Sequence, residues 1–193
     1  MVREAGATRA TSETQVRVHL RLDGVGEHRI RTHVPFLDHL LAQWARHGRF
    51  DLTVEATGDL EVDAHHTVED VGIVLGETFR QALGDGAGIA RFSSLHAAMD
   101  DALVLCAVDV SGRGYLHYDV PFPASHVGSF PTELVEEFWR AFVSHARITL
   151  HLVLLHGRNA HHIAEALFKG CGVVLGQAVR VVGGDIPSTK GVL

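Results

Sequence analysis

Apolar and polar residues alternate through "TQVRVHLRLDG" (14–24) and again through "EHRIRTHV" (27–34), the period-two signature of strands that bury one face. The break between them falls at Asp23–Gly26, so the pattern predicts a hairpin turning there. At "PFLDHLLAQWARHG" the period lengthens. Phe36, Leu37, Leu40, Leu41 and Trp44 share one side of a helix, which Gly48 ends. "FDLTVEATG" (50–58) returns to alternation, and from Asp63 a second helix runs to about Leu83 before "GDGAG" stops it.

The second half follows the same order. "ALVLCAVDVSGRGYLHYDV" (102–120) reads as two strands around Ser111–Gly114, "TELVEEFWRAFVSHA" as a helix and "RITLHLVLL" as a strand. Asn159 then opens a last helix reaching about Val182. The expected fold class is therefore α+β. It has two tandem β-β-α-β-α repeats, residues 13–92 and 93–193, with helices packed against mixed sheets in one compact functional unit. Residues 1–12, without a long apolar core or cleavage site, read as a flexible N-terminus. Gly72 and Gly76 in one helix, and Gly170, Gly172 and Gly176 in the other, each cost about 1 kcal/mol against alanine. Close approach of another element explains their presence.

The repeat carries chemistry. "DAHHTVED" (63–70) and "NAHHIAEA" (159–166) each set His-His-x-x-Glu behind a residue able to cap a helix, Asp63 or Asn159. Positions i and i+4 lie about 40° apart on a helix, so His65 and Glu69 can grip one cation, and His161 and Glu165 another. The second histidines, His66 and His162, diverge by about 100° and are free to serve the other ion. Upstream, His39 lies 26 residues before His65, and Glu137 lies 24 before His161. The geometry suggests two metal sites, one of His65, Glu69, His162 and Glu137, the other of His161, Glu165, His66 and His39. Nitrogen and oxygen donors without thiolate suit Mn, Fe or Zn. His19, His28, His33, His96, His117, His126, His145 and His156 are expected to have no ligand duty, with His47 and His151 intermediate.

Composition narrows the classes. Fifteen histidines nearly equal all Lys and Arg together (17), yet the net charge is −6, so no basic field recommends a nucleic-acid partner. No apolar run reaches the roughly 20 residues of a membrane span. Two cysteines in apolar surroundings, Cys106 and Cys171, read as buried thiols of a reducing, cytoplasmic setting. For a small anion there are local groups: Arg91 and Arg113 in turns, Lys169 one helical turn after Glu165, and "PSTKGVL" with Ser188, Thr189 and Lys190. That last segment superficially resembles a phosphate loop, but it lacks the Gly-Lys-Ser/Thr order and a leading strand.

These residues resemble imidazoleglycerol-phosphate dehydratase of histidine biosynthesis. The likeness runs through "SETQV", "FLDHL", "HHTVEDVGIVLG", "MDDAL", "DVSGRGYL", "ITLHL", "HHIAEALFKG" and "PSTKGVL", nearly everything after Ser12. It implies a fold like that of ribosomal protein S5 domain 2, two Mn(2+) per subunit, and a homo-oligomeric shell of 24 subunits. It implies ligation by His39, His65, His66, Glu69, His161, His162 and Glu165, with Glu137 standing where the family often has a further histidine. It implies substrate contacts from Glu13, His47, Arg91, Arg113, Lys169, Ser188, Thr189 and Lys190, besides the ligands themselves. His33 and Gly114 also depart from the commonest family residues. The reaction implied is loss of water from a glycerol-phosphate diol bearing an imidazole, giving imidazole acetol phosphate. Metal coordination would stabilise the deprotonated ring, which expels the neighbouring hydroxyl by way of a diazafulvene-like intermediate. Glu13 is the acid/base candidate.

A metal-dependent phosphatase would use similar parts, although no Asp-x-Asp nucleophile motif is present, and a metal-storage shell would use the helical ligands alone. Assaying inorganic phosphate and enolizable ketone from one substrate separates them. The dehydratase reading expects ketone without phosphate; phosphate without ketone contradicts it.

Overall fold

Alternation sets which side of each strand is dry. In β2 (Thr14–Arg21), Val16, Val18 and Leu20 are fully buried, while Gln15, Arg17, His19 and Arg21 face outward. In β4 (Asp51–Gly58), Leu52, Val54 and Ala56 do the same. The computed structural model describes residues 2–193. Its first sheet adds β1 (Glu4–Ala10) and β3 (His28–Arg31) in the order β1-β2-β4-β3. The second sheet repeats that topology with β5 (Phe92–Met99), β6 (Ala102–Asp109), β7 (Tyr115–Asp119) and β10 (Thr149–His156), ordered β5-β6-β10-β7. Both are mixed, since β3 runs parallel to β4 and β7 parallel to β10, with the other pairs antiparallel. A small ribbon of β8 (His126–Val127) and β9 (Phe130–Pro131) is inserted in the second half.

Three expectations are corrected. Residues 4–10 are not a flexible terminus but the strand β1, paired with β2 from Glu4↔Arg21 to Ala10↔Gln15. Its "EAGATRA" has no bulky apolar residue to show alternation, although Ala5 and Ala7 pack on the core. With β5, each half therefore reads β-β-β-α-β-α, one strand more than the pattern indicated. The strands β2 and β3 do not form a hairpin, because β4 lies between them. Asp51, at the start of β4, holds their connection: its Oδ1 accepts N–H groups of Val25, Gly26 and Glu27 at 2.8, 3.1 and 3.1 Å. The last helix ends at Ala178, short of Val182, whose N–H turns away to bond Gly88 O.

The helices are α1 (Pro35–Gly48), α2 (His65–Leu83), α3 (Glu133–Ala146) and α4 (Ala160–Ala178). They lie between the sheets, with α2 on β1 and β2, and α4 on β5 and β6. Contact then crosses the halves, as α2 packs on α3 and α1 on α4. The mid-helix glycines make this possible. A Cβ at Gly172 would stand 2.5 Å from Trp44 O, and one at Gly76 2.5 Å from Phe142 O. Gly176 meets Gly48 O, Gly72 meets Phe138 O, and Gly170 meets the Cys106 side chain of β6. Around these crossings Trp44, Phe50, Phe79, Phe138, Trp139, Phe142 and Phe168 form the fully buried aromatic core. Both cysteines are buried and free, with sulfurs 4.0 Å apart.

G76A and G172A are expected to destabilise the fold. A clash with backbone that cannot rotate away costs about 1–3 kcal/mol and outweighs the ~1 kcal/mol that alanine returns in helix propensity. Gly183, whose Cβ would meet nothing within 4 Å, is the control, and G183A should move the urea midpoint by less than about 0.5 kcal/mol equivalent. A second expectation concerns Asp51. Burial pushes its carboxyl upward, but the three N–H bonds outweigh that and hold it below the ordinary value. Its contribution, about 1 kcal/mol, is therefore fully present above the usual aspartate pKa and fades as pH falls through the depressed one. The stability gap between the wild type and D51A should close in acid; a gap that widens as pH falls contradicts this.

Candidate metal centre and active site

Asn159 sets the first turn of α4. Its side chain accepts the N–H groups of His161 (2.9 Å) and His162 (3.3 Å), as the sequence suggested. Asp63 likewise accepts the His65 N–H at 2.7 Å, although the capping position of α2 is Ala64. With the turn fixed, His161 and Glu165 stack on one face of α4, and the crossing of α1 brings His39 against them. His39 Nε2 lies 2.5 Å from Glu165 Oε1, and the ligand atoms of His39, His161 and Glu165 lie within 4.8 Å of one another. Phe36 backs both imidazoles, 5.1 Å from the His161 ring and 6.1 Å from that of His39. Glu165 is only 5% exposed. Burial pushes its carboxyl up, but hydrogen bonds from His39 and Lys169 win and hold it below the usual range. The Lys169 ammonium donates to Glu165 Oε2 at 3.2 Å and to Met99 Sδ at 3.4 Å.

Two imidazoles and a carboxylate this close, without thiolate, match the donor chemistry of a divalent transition ion such as Mn. A cavity of about 630 Å³ opens beside them, bounded by Phe36, Leu60, Asp63, Ala64 and Phe130. It thus touches the segment leading into α2 as well as the His39–His161 pair.

Within the chain, His66 does not join His39, His161 and Glu165. Its Nδ1 lies 3.0 and 3.2 Å from the Asp59 carboxylate oxygens and 3.8 Å from Glu13 Oε2. Asp59 chiefly raises its pKa, against a smaller opposing effect of burial. His162 is held in the same manner, Nδ1 2.7 Å from Asp101 Oδ1. That bond, with N–H groups of Arg158 and Asn159 on Oδ2, pulls the Asp101 carboxyl down to about 2. Sequence reasoning missed both aspartates as site residues. Asp59 sits outside the repeated motif, and Asp101 is one of two adjacent acids in "MDDAL", with nothing local to show which one turns inward.

The other half of the expected pair, His65, Glu69 and Glu137, does not gather into a three-ligand group among the described residues. Its members do occupy matching places. Gly76, seven residues after Glu69, meets Phe142, five after Glu137; Gly172, seven after Glu165, meets Trp44, five after His39. Glu137 is thus the positional counterpart of His39.

The anion-binding candidates are elsewhere. Arg91, at φ +70, clasps Asp109 through Nε (2.7 Å) and Nη2 (3.3 Å) and donates Nη1 to Pro187 O at 2.7 Å. It therefore positions the segment carrying Ser188, Thr189 and Lys190. The end of that segment crosses Gly112, beside exposed Arg113. Arg91 N–H bonds Ala178 O, thirteen residues past Glu165, or roughly 20 Å along α4 at 1.5 Å per residue. His47 lies on α1 between the two ends, and burial with the Lys169 charge lowers its pKa.

Residues 32–175 match the family model described as imidazoleglycerol-phosphate dehydratase. The imidazoleglycerol-phosphate dehydratase of Desulforudis audaxviator is 57% identical over 194 residues, covering 100% of this chain and 99% of that one. That of Cereibacter sphaeroides is 54% identical over 195 residues, covering 100% of both. Among solved structures, the enzyme of Staphylococcus aureus is similar with a TM-score of 0.84 at 36% identity, covering 92% of this chain and 99% of that one. The enzyme of Pyrococcus furiosus, in complex with (S)-C348, is similar with a TM-score of 0.85 at 38% identity, covering 97% and 100%.

Proposed function

Because the chain belongs to the imidazoleglycerol-phosphate dehydratase family, and is accordingly a hydro-lyase of histidine biosynthesis, we propose that it performs its dehydration at two manganese sites completed between copies of the chain. The observation that carries the metal reading is the His39–His161–Glu165 group, in which three ligand atoms converge beside a cavity that His39 and His161 line. His65, Glu69 and Glu137 would supply the matching helix pair of the second site, and His66 and His162 the crossing ligands. Divalent ions held there would act as Lewis acids that stabilise the anionic form of the substrate's imidazole.

The protein's own groups do the rest. The substrate must lose a hydroxyl from the carbon beside the ring and a proton from the next carbon, giving an enol that tautomerises to imidazole acetol phosphate. Glu13 suits the proton transfer. Its carboxylate is exposed at the head of β2, 3.8 Å from His66 Nδ1 and without a hydrogen-bond partner on its side chain among the described residues. Lys169, braced by Glu165 and Met99, neutralises charge next to the buried carboxylate. Arg91 acts through the tail it holds, presenting Ser188, Thr189 and Lys190 with Arg113 to the phosphate.

The roughly 20 Å along α4 between the ligand end and the phosphate end exceeds the reach of a small glycerol phosphate. One copy's metal ligands therefore serve with a neighbour's phosphate groups, which supports a homo-oligomer and is consistent with a shell of 24. No helix of the described residues is long and apolar enough to cross a membrane, and the reading places the enzyme in the cytoplasm.

Removing metal with a chelator should abolish ketone formation, and Mn(2+) should restore it. H39A, which removes one ligand of the converging group, should lower kcat by about 100-fold or more and reduce bound manganese per chain. Full turnover by metal-free protein would overturn the metal reading while leaving the dehydration itself standing.

A further inference from the structure

We infer that Asp59 and Asp101 are positioning residues that present His66 and His162 to the metals through Nε2, and that this division of labour leaves Glu13 free to act on substrate. The inference rests on the di-metal reading above and adds what orients its crossing ligands.

His66 and His162 are the second histidines of the two motifs, and each has Nδ1 on an aspartate. A carboxylate beside Nδ1 favours the tautomer with hydrogen there, leaving the Nε2 lone pair as the ligand and fixing the ring plane; on His162 that Nε2 lies 3.5 Å from the exposed Asp100 carboxylate, which makes no hydrogen bond to it. The two aspartates do not occupy equivalent places. Asp101 stands immediately before β6, whereas Asp59 follows β4. The two sheets share one topology, so each aspartate has a counterpart in the other half. The residue immediately before β2 is Glu13, and the residue after β10 is Gly157.

The exchange is complementary. In the second half Asp101 reaches His162 at 2.7 Å, and Gly157 offers no carboxylate. A side chain at Gly157 would be strained and crowded, because its φ is +155 and a Cβ would stand 3.0 Å from Ile163 and 3.2 Å from Ala102. In the first half Asp59 takes the histidine at 3.0 Å, and Glu13 remains at 3.8 Å, beyond hydrogen-bond reach, with its side chain half exposed. Two repeats of one design have thus assigned the orienting role to different positions. The carboxylate released from it in the first half is the one poised for proton transfer. Asp101 has the further task of accepting the Arg158 and Asn159 N–H groups, which fastens the cap of α4; the Asp59 side chain bonds only His66 among the described residues.

The test measures Mn(2+) dissociation from chelator-treated full-length protein by electron paramagnetic resonance of the free ion, beside thermal unfolding of the metal-free protein. D59A and D101A should weaken Mn(2+) binding by about 10- to 100-fold. D59N, whose amide oxygen still accepts from Nδ1–H, should recover part of the loss. E13Q should keep Mn(2+) affinity within about twofold of wild type while lowering kcat by about 100-fold. Wild-type affinity in folded D59A overturns the inference, as does an E13Q loss of affinity equal to that of D59A. If D101A unfolds, D59A decides alone. If the unaltered protein binds no Mn(2+), the di-metal reading has failed and this inference falls with it; if it binds and D59A binds equally, only this inference has failed.

Discussion

Two helix pairs approach until backbone meets backbone, α1 on α4 at Gly172 and Gly176, and α2 on α3 at Gly72 and Gly76. A single methyl at these points would force the axes apart, and the interior, close-packed like other protein cores, has no slack to absorb it. The crossing also fixes the chemistry. Helices that touch at Trp44 and Gly172 must place His39, five residues before the one, beside Glu165, seven before the other. The distance between an imidazole and a carboxylate on separate halves of the chain is thus set by glycines two turns away, which carry no functional group at all.

Electrostatics then makes the site distinct from the core around it. Glu165 is nearly as buried as its aliphatic neighbours, and an unpaired carboxylate there would be driven to protonate. His39 and Lys169 reverse the outcome and keep it anionic. The same device, a carboxylate gripping an imidazole, recurs at Asp59–His66 and Asp101–His162 nearer the surface, where its effect is on ring orientation rather than on the cost of burial.

Much of this was legible in the chain. The Asn159 cap and the packing glycines follow from periodicity and residue type, and the structure keeps them; of the doubled His-His-x-x-Glu, the second copy joins His39 in a three-ligand group and the first does not gather one among the described residues. The strand β1 was hidden because alanine, glycine and threonine give no amphipathic signal. The false hairpin arose because adjacent alternating runs imply pairing only when nothing inserts between them. Here the inserted strand, β4, lies beyond a whole helix, and only the Asp51 contacts reveal the turn's true partner. Which aspartate orients which histidine depends on tertiary placement; Asp101 is 61 residues from His162. The engagement of Arg91 with Asp109 and Pro187 was invisible for the same reason.

At Gly72, Gly76, Gly172 and Gly176 neither half covers its own helix; each lends that surface to the other. A half alone would expose α2 or α4 along the stripe where its neighbour belongs, but two identical halves related by a two-fold axis would cover one another in the same way. A single chain thus holds, internally, the kind of reciprocal cover that a symmetric pair of repeats would make. Gly157 in the place that Asp59 holds, and Asp101 in the place that Glu13 holds, mark where the two halves differ.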